Sequence, residues 1–102
     1  MQPYDLTPAA EEDIKEIARY TLKHWGKKQA LHYATLLENR FLIIAGGTCL
    51  SRTFSERFAQ IQVTRCEHHY IFYIHPDGKR PCIIAVLHER MDIVIRLKSR
   101  LD

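Results

Sequence analysis

Along the chain the spacing of apolar positions changes from helical to strand-like and back to helical. The strand-like part centres on two apolar runs, Tyr70–Ile74 and Ile83–Leu87, which flank Pro76-Asp77-Gly78-Lys79. Proline presets φ and glycine accepts positive φ, so the segment between the runs has the chemistry of a turn. Both runs are rich in β-branched and aromatic residues, and each is too short for a helix of usual length. The pattern predicts a hairpin. Neither run alternates cleanly between apolar and polar, so both faces of the pair are expected to be covered, which puts it centrally in a sheet.

Upstream, Thr7-Pro8 reads as the start of a helix, with threonine as cap and proline at the first helical position. Glu11, Glu12 and Asp13 suit its N-terminal dipole. Ile14, Ile17, Ala18, Leu22 and Trp25 form one apolar stripe, and Gly26 ends the helix. A second helix opens at Lys27-Lys28-Gln29, buries Ala30, Ala34, Leu37, Phe41 and Ile44 with Tyr33 and Leu36 beside them, and stops at Gly46-Gly47. So short a break predicts an antiparallel helical hairpin.

The remaining elements are slighter. Tyr4-Asp5-Leu6 reads as a brief first strand, and Thr48 to Gln60 as an irregular connection. Gln60 to Arg65 alternates, as a half-exposed strand does. Met91, Val94, Ile95, Leu97 and Leu101, interleaved with Arg90, Arg96, Lys98 and Arg100, make a basic amphipathic last helix with Asp92 near its start. The predicted order is β-α-α-β-β-β-α. The expected fold class is α+β, one domain over residues 1–102, with a helical hairpin covering one face of a small antiparallel sheet.

Composition narrows the function classes. The 102 residues are 46 % hydrophobic and 26 % charged, as in an ordinary globular protein. No run approaches the roughly 20 apolar residues of a membrane span, and the N-terminus has no secretory pattern. Three cysteines, Cys49, Cys66 and Cys82, have no framework spacing, so free thiols in a reducing cytoplasm are expected. The net charge of +3 is unevenly spread. Asp5, Glu11, Glu12, Asp13 and Glu16 face only Lys15 at the start, whereas residues 40–102 hold ten Lys/Arg against six acids. That asymmetry points to an anionic partner for the second half.

Chemistry-bearing residues gather where the hairpin frays, with Arg65 at its entrance and His88 to Asp92 at its exit. Pairing across Asp77-Gly78 brings residues near 68 opposite residues near 88, and so collects His68, His69, His88 and Arg65. Arg65 can equally tie strand ends by pairing with Glu67 or Glu89, and His88 can be a hydrogen-bonded strand end. His68, His69, His75, Cys66 and Cys82 lack any zinc spacing, and neighbours on a strand point to opposite faces, so neither metal nor cofactor is expected. The thiols lie in or beside apolar segments, where cysteine is usually inert. Helical spacing assigns Tyr20, Trp25, Tyr33 and Phe41 to the core, not to a platform for bases.

Several of these residues, taken together, resemble the ParE branch of the RelE/ParE toxin superfamily. They are the L-T-P-A-A-E-E-D-I-x-x-I-x-x-Y run from Leu6 to Tyr20, then Gly26 with Ala30, Tyr33, Leu37 and Phe41. Arg65 with Tyr70-x-Phe72-Tyr73 follows, then Ile84-x-x-Leu87-His88-x-x-Met91-Asp92. The resemblance implies a toxin that inhibits without substrate turnover, stabilising the cleaved complex of DNA gyrase with DNA and blocking replication. It also implies a ParD-like antitoxin whose C-terminal region wraps the toxin. No cofactor, membrane or small-molecule substrate enters.

The alternative within the superfamily is ribosome-dependent mRNA cleavage of the RelE type. That chemistry needs a base for the 2′-OH, cations for the phosphorane and an acid for the leaving oxygen. Arg65 and His88 are the candidates, with Lys79, Arg80 or Arg90 adding charge. Against it, Gln60–Thr64 and Tyr70–Ile74 contain no Lys or Arg, whereas a polyanion-cutting surface shows several phosphate contacts. The gyrase reading therefore leads, with Arg65, His88, Arg90, Met91, Arg96, Lys98 and Arg100 as expected target-binding residues. A small domain with a long apolar and basic surface suits a partner that folds on binding.

Overall fold

In a computed structural model, which describes residues 2–101, the chain runs β1 (Asp5–Leu6), α1 (Pro8–Trp25), α2 (Lys27–Ala45), β2 (Arg52–Thr53), β3 (Gln62–Cys66), β4 (His69–Ile74), β5 (Cys82–His88) and α3 (Ile93–Leu101). The strands form one sheet in the order β1-β5-β4-β3-β2. The α+β class and the helical hairpin follow the sequence reading. Two details differ. The sheet is mixed, because β1 lies parallel to β5, with Asp5 opposite Cys82. The stretch expected to be irregular contributes β2, two residues paired with Val63 and Gln62, which are too few to leave a periodic signal.

Local chemistry sets the junctions. Thr7 caps α1 by accepting from the Ala10 N–H at 3.1 Å, and Pro8 needs no partner there. Gly26 alone separates the two helices at φ +89°, a conformation costly for a side-chain-bearing residue. The β3–β4 turn is as tight. Cys66 pairs with His69 across Glu67-His68, and Glu67 takes φ +54°.

Both faces of the sheet are buried, as the unbroken apolar runs require. Ile71, Tyr73, Ile83 and Val86 pack with Tyr33, Leu37, Phe41 and Ile44 beneath the hairpin. Val63, Phe72, Ala85 and Leu87 pack on the opposite face with Ile61 and with Leu97 of α3. Phe72 pairs with Ala85 but Tyr73 pairs with Ile83, so Ile84 is a bulge residue. The bulge lets Ile84 and Ala85 pack toward the same cluster.

The helices outrun the sheet. At 1.5 Å per residue the 18 residues of α1 span about 27 Å, more than the roughly 23 Å of the 7-residue β5. The last buried residue of α1 is Thr21, and the first of α2 is Tyr33. Trp25, one turn beyond Thr21, is therefore exposed, and Ala18, Tyr20, Leu22 and Ala34 are exposed because they lie off the inward line of Ile14, Ile17 and Thr21 on α1 and of Tyr33, Leu37 and Phe41 on α2, a correction to the expectation that these five lie in the core. Helical spacing identifies an apolar stripe, but not where the element beneath it ends. No described helix is long and apolar enough to cross a membrane.

The orientation of α3 is testable by substitution. Leu97→Ala should cost about 2–4 kcal/mol in urea unfolding, whereas Val94→Ala should stay within about 0.5 kcal/mol. Equal effects would mean that α3 docks through another face.

Candidate functional site

The far end of the β4–β5 hairpin collects the predicted residues and divides them between the two faces of the sheet. His69 pairs with His88 across the strands, their rings 5.1 Å apart at 88°. Tyr33 of α2 lies 2.5 Å from His69 Nδ1, and its hydroxyl also accepts from the His68 N–H at 3.3 Å. Burial, with His88 and His68 adding to it, lowers the His69 pKa to about 4, so at neutral pH its ring is uncharged and Nδ1 can accept from Tyr33. Burial likewise raises the Tyr33 hydroxyl. His88 Nδ1 accepts from the Arg90 N–H at 3.1 Å, which leaves Nε2 to carry its proton. This arrangement ties α2 to the β3–β4 turn and occupies His69 Nδ1 with the Tyr33 hydroxyl.

Arg65 is on the other face, its guanidinium 5.5 Å from the centre of the Tyr70 ring. Nε donates to the Glu67 carbonyl at 2.8 Å, and Nη2 to Glu89 at 2.6 Å. Glu89 also bonds His68 Nδ1 at 2.8 Å. That bond, and then the Arg65 charge, hold its carboxyl below the usual range. Arg65 thus sits between acidic and carbonyl oxygens. The adjoining concavity of about 380 Å³ is lined by Leu50, Ser51, Arg52, Val63, Thr64, Arg65 and Tyr70, with no histidine. Among the described residues no three His, Cys, Asp or Glu side chains come together as a metal site.

The remaining predicted residues follow β5 into α3. Arg90, Met91, Arg96 and Lys98 are exposed, beside Val94 and Ile95 at 63 % and 65 % exposure. Asp92 caps the helix by accepting from the Ile95 N–H at 3.3 Å. Arg100 turns inward, its Nη1 and Nη2 bonding Asp13 of α1 at 2.5 and 2.6 Å. It is a positioning residue for α3, a role that its place in a basic helix gives no sign of. Tyr33 was legible only as a core residue, since nothing in helical spacing reveals that its hydroxyl reaches a histidine 36 positions away.

A folded-state pKa of about 4 for His69, against an ordinary value near 6.5, means that the unfolded chain binds the proton more tightly. Stability should be full above about pH 6.5 and fall by on the order of 2–3 kcal/mol toward pH 4. Urea unfolding across that range, with His69→Gln flattening the profile, checks the sign. A level wild-type profile would contradict it.

Comparison with known proteins agrees with this architecture. The family described as "ParE toxin of type II toxin-antitoxin system, parDE" matches residues 4–93. A toxin ParE of Escherichia coli is 41 % identical over 101 residues, covering 99 % of this chain and 98 % of the relative. A toxin ParE1 of Caulobacter vibrioides is 32 % identical over 92 residues, or 90 % and 94 % of the two chains. A solved structure titled "Chromosomal ParDE TA system from P. aeruginosa" superposes with a TM-score of 0.71 at 16 % identity, over 83 % of this chain and 92 % of that one, and so shares the fold. Its sequence match over nearly its whole length places this chain in the ParE family of toxins, which act within type II toxin–antitoxin systems and are paired with an antitoxin.

Proposed function

We propose that this toxin arrests growth in the cytoplasm by poisoning DNA gyrase through docking, without catalytic turnover, and that a ParD-like antitoxin neutralises it. The observation that carries the reading is the Arg65–Glu89 pair at 2.6 Å. Arg65 is held by Glu89 and the Glu67 carbonyl, so its guanidinium is not free to clamp a phosphate in this arrangement. The partner histidines are no better placed for acid–base work on RNA, since Tyr33 and the Arg90 amide already engage His69 and His88.

The outer face of α3 suits docking. It joins apolar Met91, Val94 and Ile95 to the cations Arg90, Arg96 and Lys98, none of which makes an ion pair among the described residues. Such a mixture buries apolar area at an interface centre while charge steers the approach to an acidic or DNA-bound target. Arg65 shares this side of the sheet and is a rim residue in the same reading. His88 lies on the other side and adjoins the surface only through Arg90. Arg100 contributes by holding α3 in place.

Gyrase, supercoiled plasmid and the toxin, treated with detergent, should yield linear DNA, while ribosome-bound mRNA stays intact. Cut mRNA with intact plasmid would overturn the proposal in favour of RelE-type cleavage. Arg96→Glu combined with Lys98→Glu should raise the toxin concentration needed by at least about tenfold without moving the unfolding midpoint by more than a few degrees. Undiminished potency would remove α3 from the docking surface.

A further inference from the structure

The connection between α2 and β3 holds one apolar side chain out in water. Leu50 is 93 % exposed, more than any other large apolar residue described. The backbone around it is nevertheless tied down. The Leu50 carbonyl accepts from the Thr64 hydroxyl at 3.2 Å, and the Ser51 and Tyr73 hydroxyls bond each other at 2.5 Å. A leucine tethered on both counts is presented to a partner and cannot swing back against the core.

Beside it, β3 has an open stretch of edge. Along β3 and the residue before it, odd-numbered positions turn their N–H and C=O toward β2. The Ile61 carbonyl accepts from the Phe54 N–H at 2.8 Å, and Val63 is paired with Arg52. Arg65 is next in that series, with Leu50 opposite it in the same register. Among the described residues no backbone bond joins the two. Because β2 begins only at Arg52, the Arg65 N–H and C=O face outward with no strand to take them.

The concavity of about 380 Å³ opens between these two features, with Val63 and Tyr70 as apolar lining and Arg52 and Arg65 as its charged residues. No acid lines it. Arg65 is taken by Glu89, whereas Arg52 has no ion partner among the described residues. Two copies of the chain meeting here about a twofold axis would set Arg52 against Arg52. A nucleobase would need the face of Tyr70, which the Arg65 guanidinium covers at 5.5 Å, and DNA would leave Leu50 wet. An extended protein segment answers every feature: its backbone takes the Arg65 N–H and C=O, an apolar side chain meets Leu50 and Val63, and a carboxylate meets Arg52. Val63 and Tyr70 belong to the cluster that Leu97 of α3 closes, so the groove and α3 lie on the same side of the sheet, within reach of one partner.

We propose that this groove takes an extended segment of gyrase, carrying an acidic residue beside an apolar one, as an added strand on the Arg65 edge. Leu50 is its apolar anchor and Arg52 the partner of its carboxylate. The inference rests on the gyrase reading and extends that docking surface from α3 onto the sheet.

A photoreactive p-benzoylphenylalanine in place of Leu50 reports on the occupant without touching the core. Irradiated with purified gyrase and plasmid, it should cross-link to gyrase, and mass spectrometry should map the link to a segment containing Asp or Glu. A cross-link to the DNA, or none while the same residue at Val94 gives one, overturns the proposal. In hydrogen exchange the Arg65 amide should slow when gyrase is added; an unchanged rate contradicts strand pairing. Leu50→Asp with Arg52→Glu should raise the toxin concentration that linearises plasmid by at least about tenfold while circular dichroism stays unchanged. Wild-type potency of that variant, or a loss confined to antitoxin binding, sinks the groove alone. A wild-type toxin that linearises no plasmid sinks the gyrase reading and this inference with it.

Discussion

The architecture depends on how the open side of β5 is closed. β1 covers only Cys82 and Ile83, yet β5 runs on to His88 with backbone groups facing away from β4. An exposed edge of that kind invites pairing with another chain, and a buried unpaired amide is costly. Side chains take the place of the missing strand. Asp13 accepts from the Val86 N–H at 2.9 Å, and the Ile84 carbonyl accepts from Arg100 at 3.2 Å and from the Thr7 hydroxyl at 3.4 Å. Asp13 and Arg100 then bond each other through two N–H···O contacts. One polar group thereby joins α1, β5 and α3, and the bulge at Ile84 supplies the carbonyl that α3 reaches.

The consequence for function lies in what this closure leaves outside. Leu97 and Arg100 hold α3 from its inner side, so Val94, Ile95, Arg96 and Lys98 are left to solvent. The hairpin is held at one end by the core beneath Leu37, Phe41 and Ile44, and its other end overhangs the sheet. A domain of this size would bury such residues if its own core were the only demand on them. Their exposure at two separated places leaves surface for the antitoxin and for the proposed target.

Much of the fold was legible because burial leaves a period. The central hairpin, the break at Gly26 and the helical stripes all follow from sequence spacing and turn chemistry. What escaped was set by reach, not period. Trp25 keeps the helical phase of Thr21 after the sheet beneath has ended, so phase alone assigned it to the core. Asp13 looked like a dipole-favoured acid, and Arg100 like one more cation on a basic face, because their bond spans 87 positions. At the candidate site, the convergence of His69 and His88 was readable from register, and Glu89 was a stated alternative partner for Arg65. The Tyr33 hydroxyl that engages His69 was not, since a buried tyrosine in a helical stripe gives no sign of where its oxygen points.

If the Asp13–Arg100 pair closes the β5 edge and anchors α3, the two residues must be energetically coupled. A double-mutant cycle of Asp13→Ala and Arg100→Ala, followed by urea unfolding, measures that coupling directly. The partly buried, two-bond geometry predicts a coupling of about 1–3 kcal/mol, with the double variant much less destabilised than the sum of the singles. Additive effects within about 0.5 kcal/mol would contradict the account, because α3 would then be held by apolar packing alone.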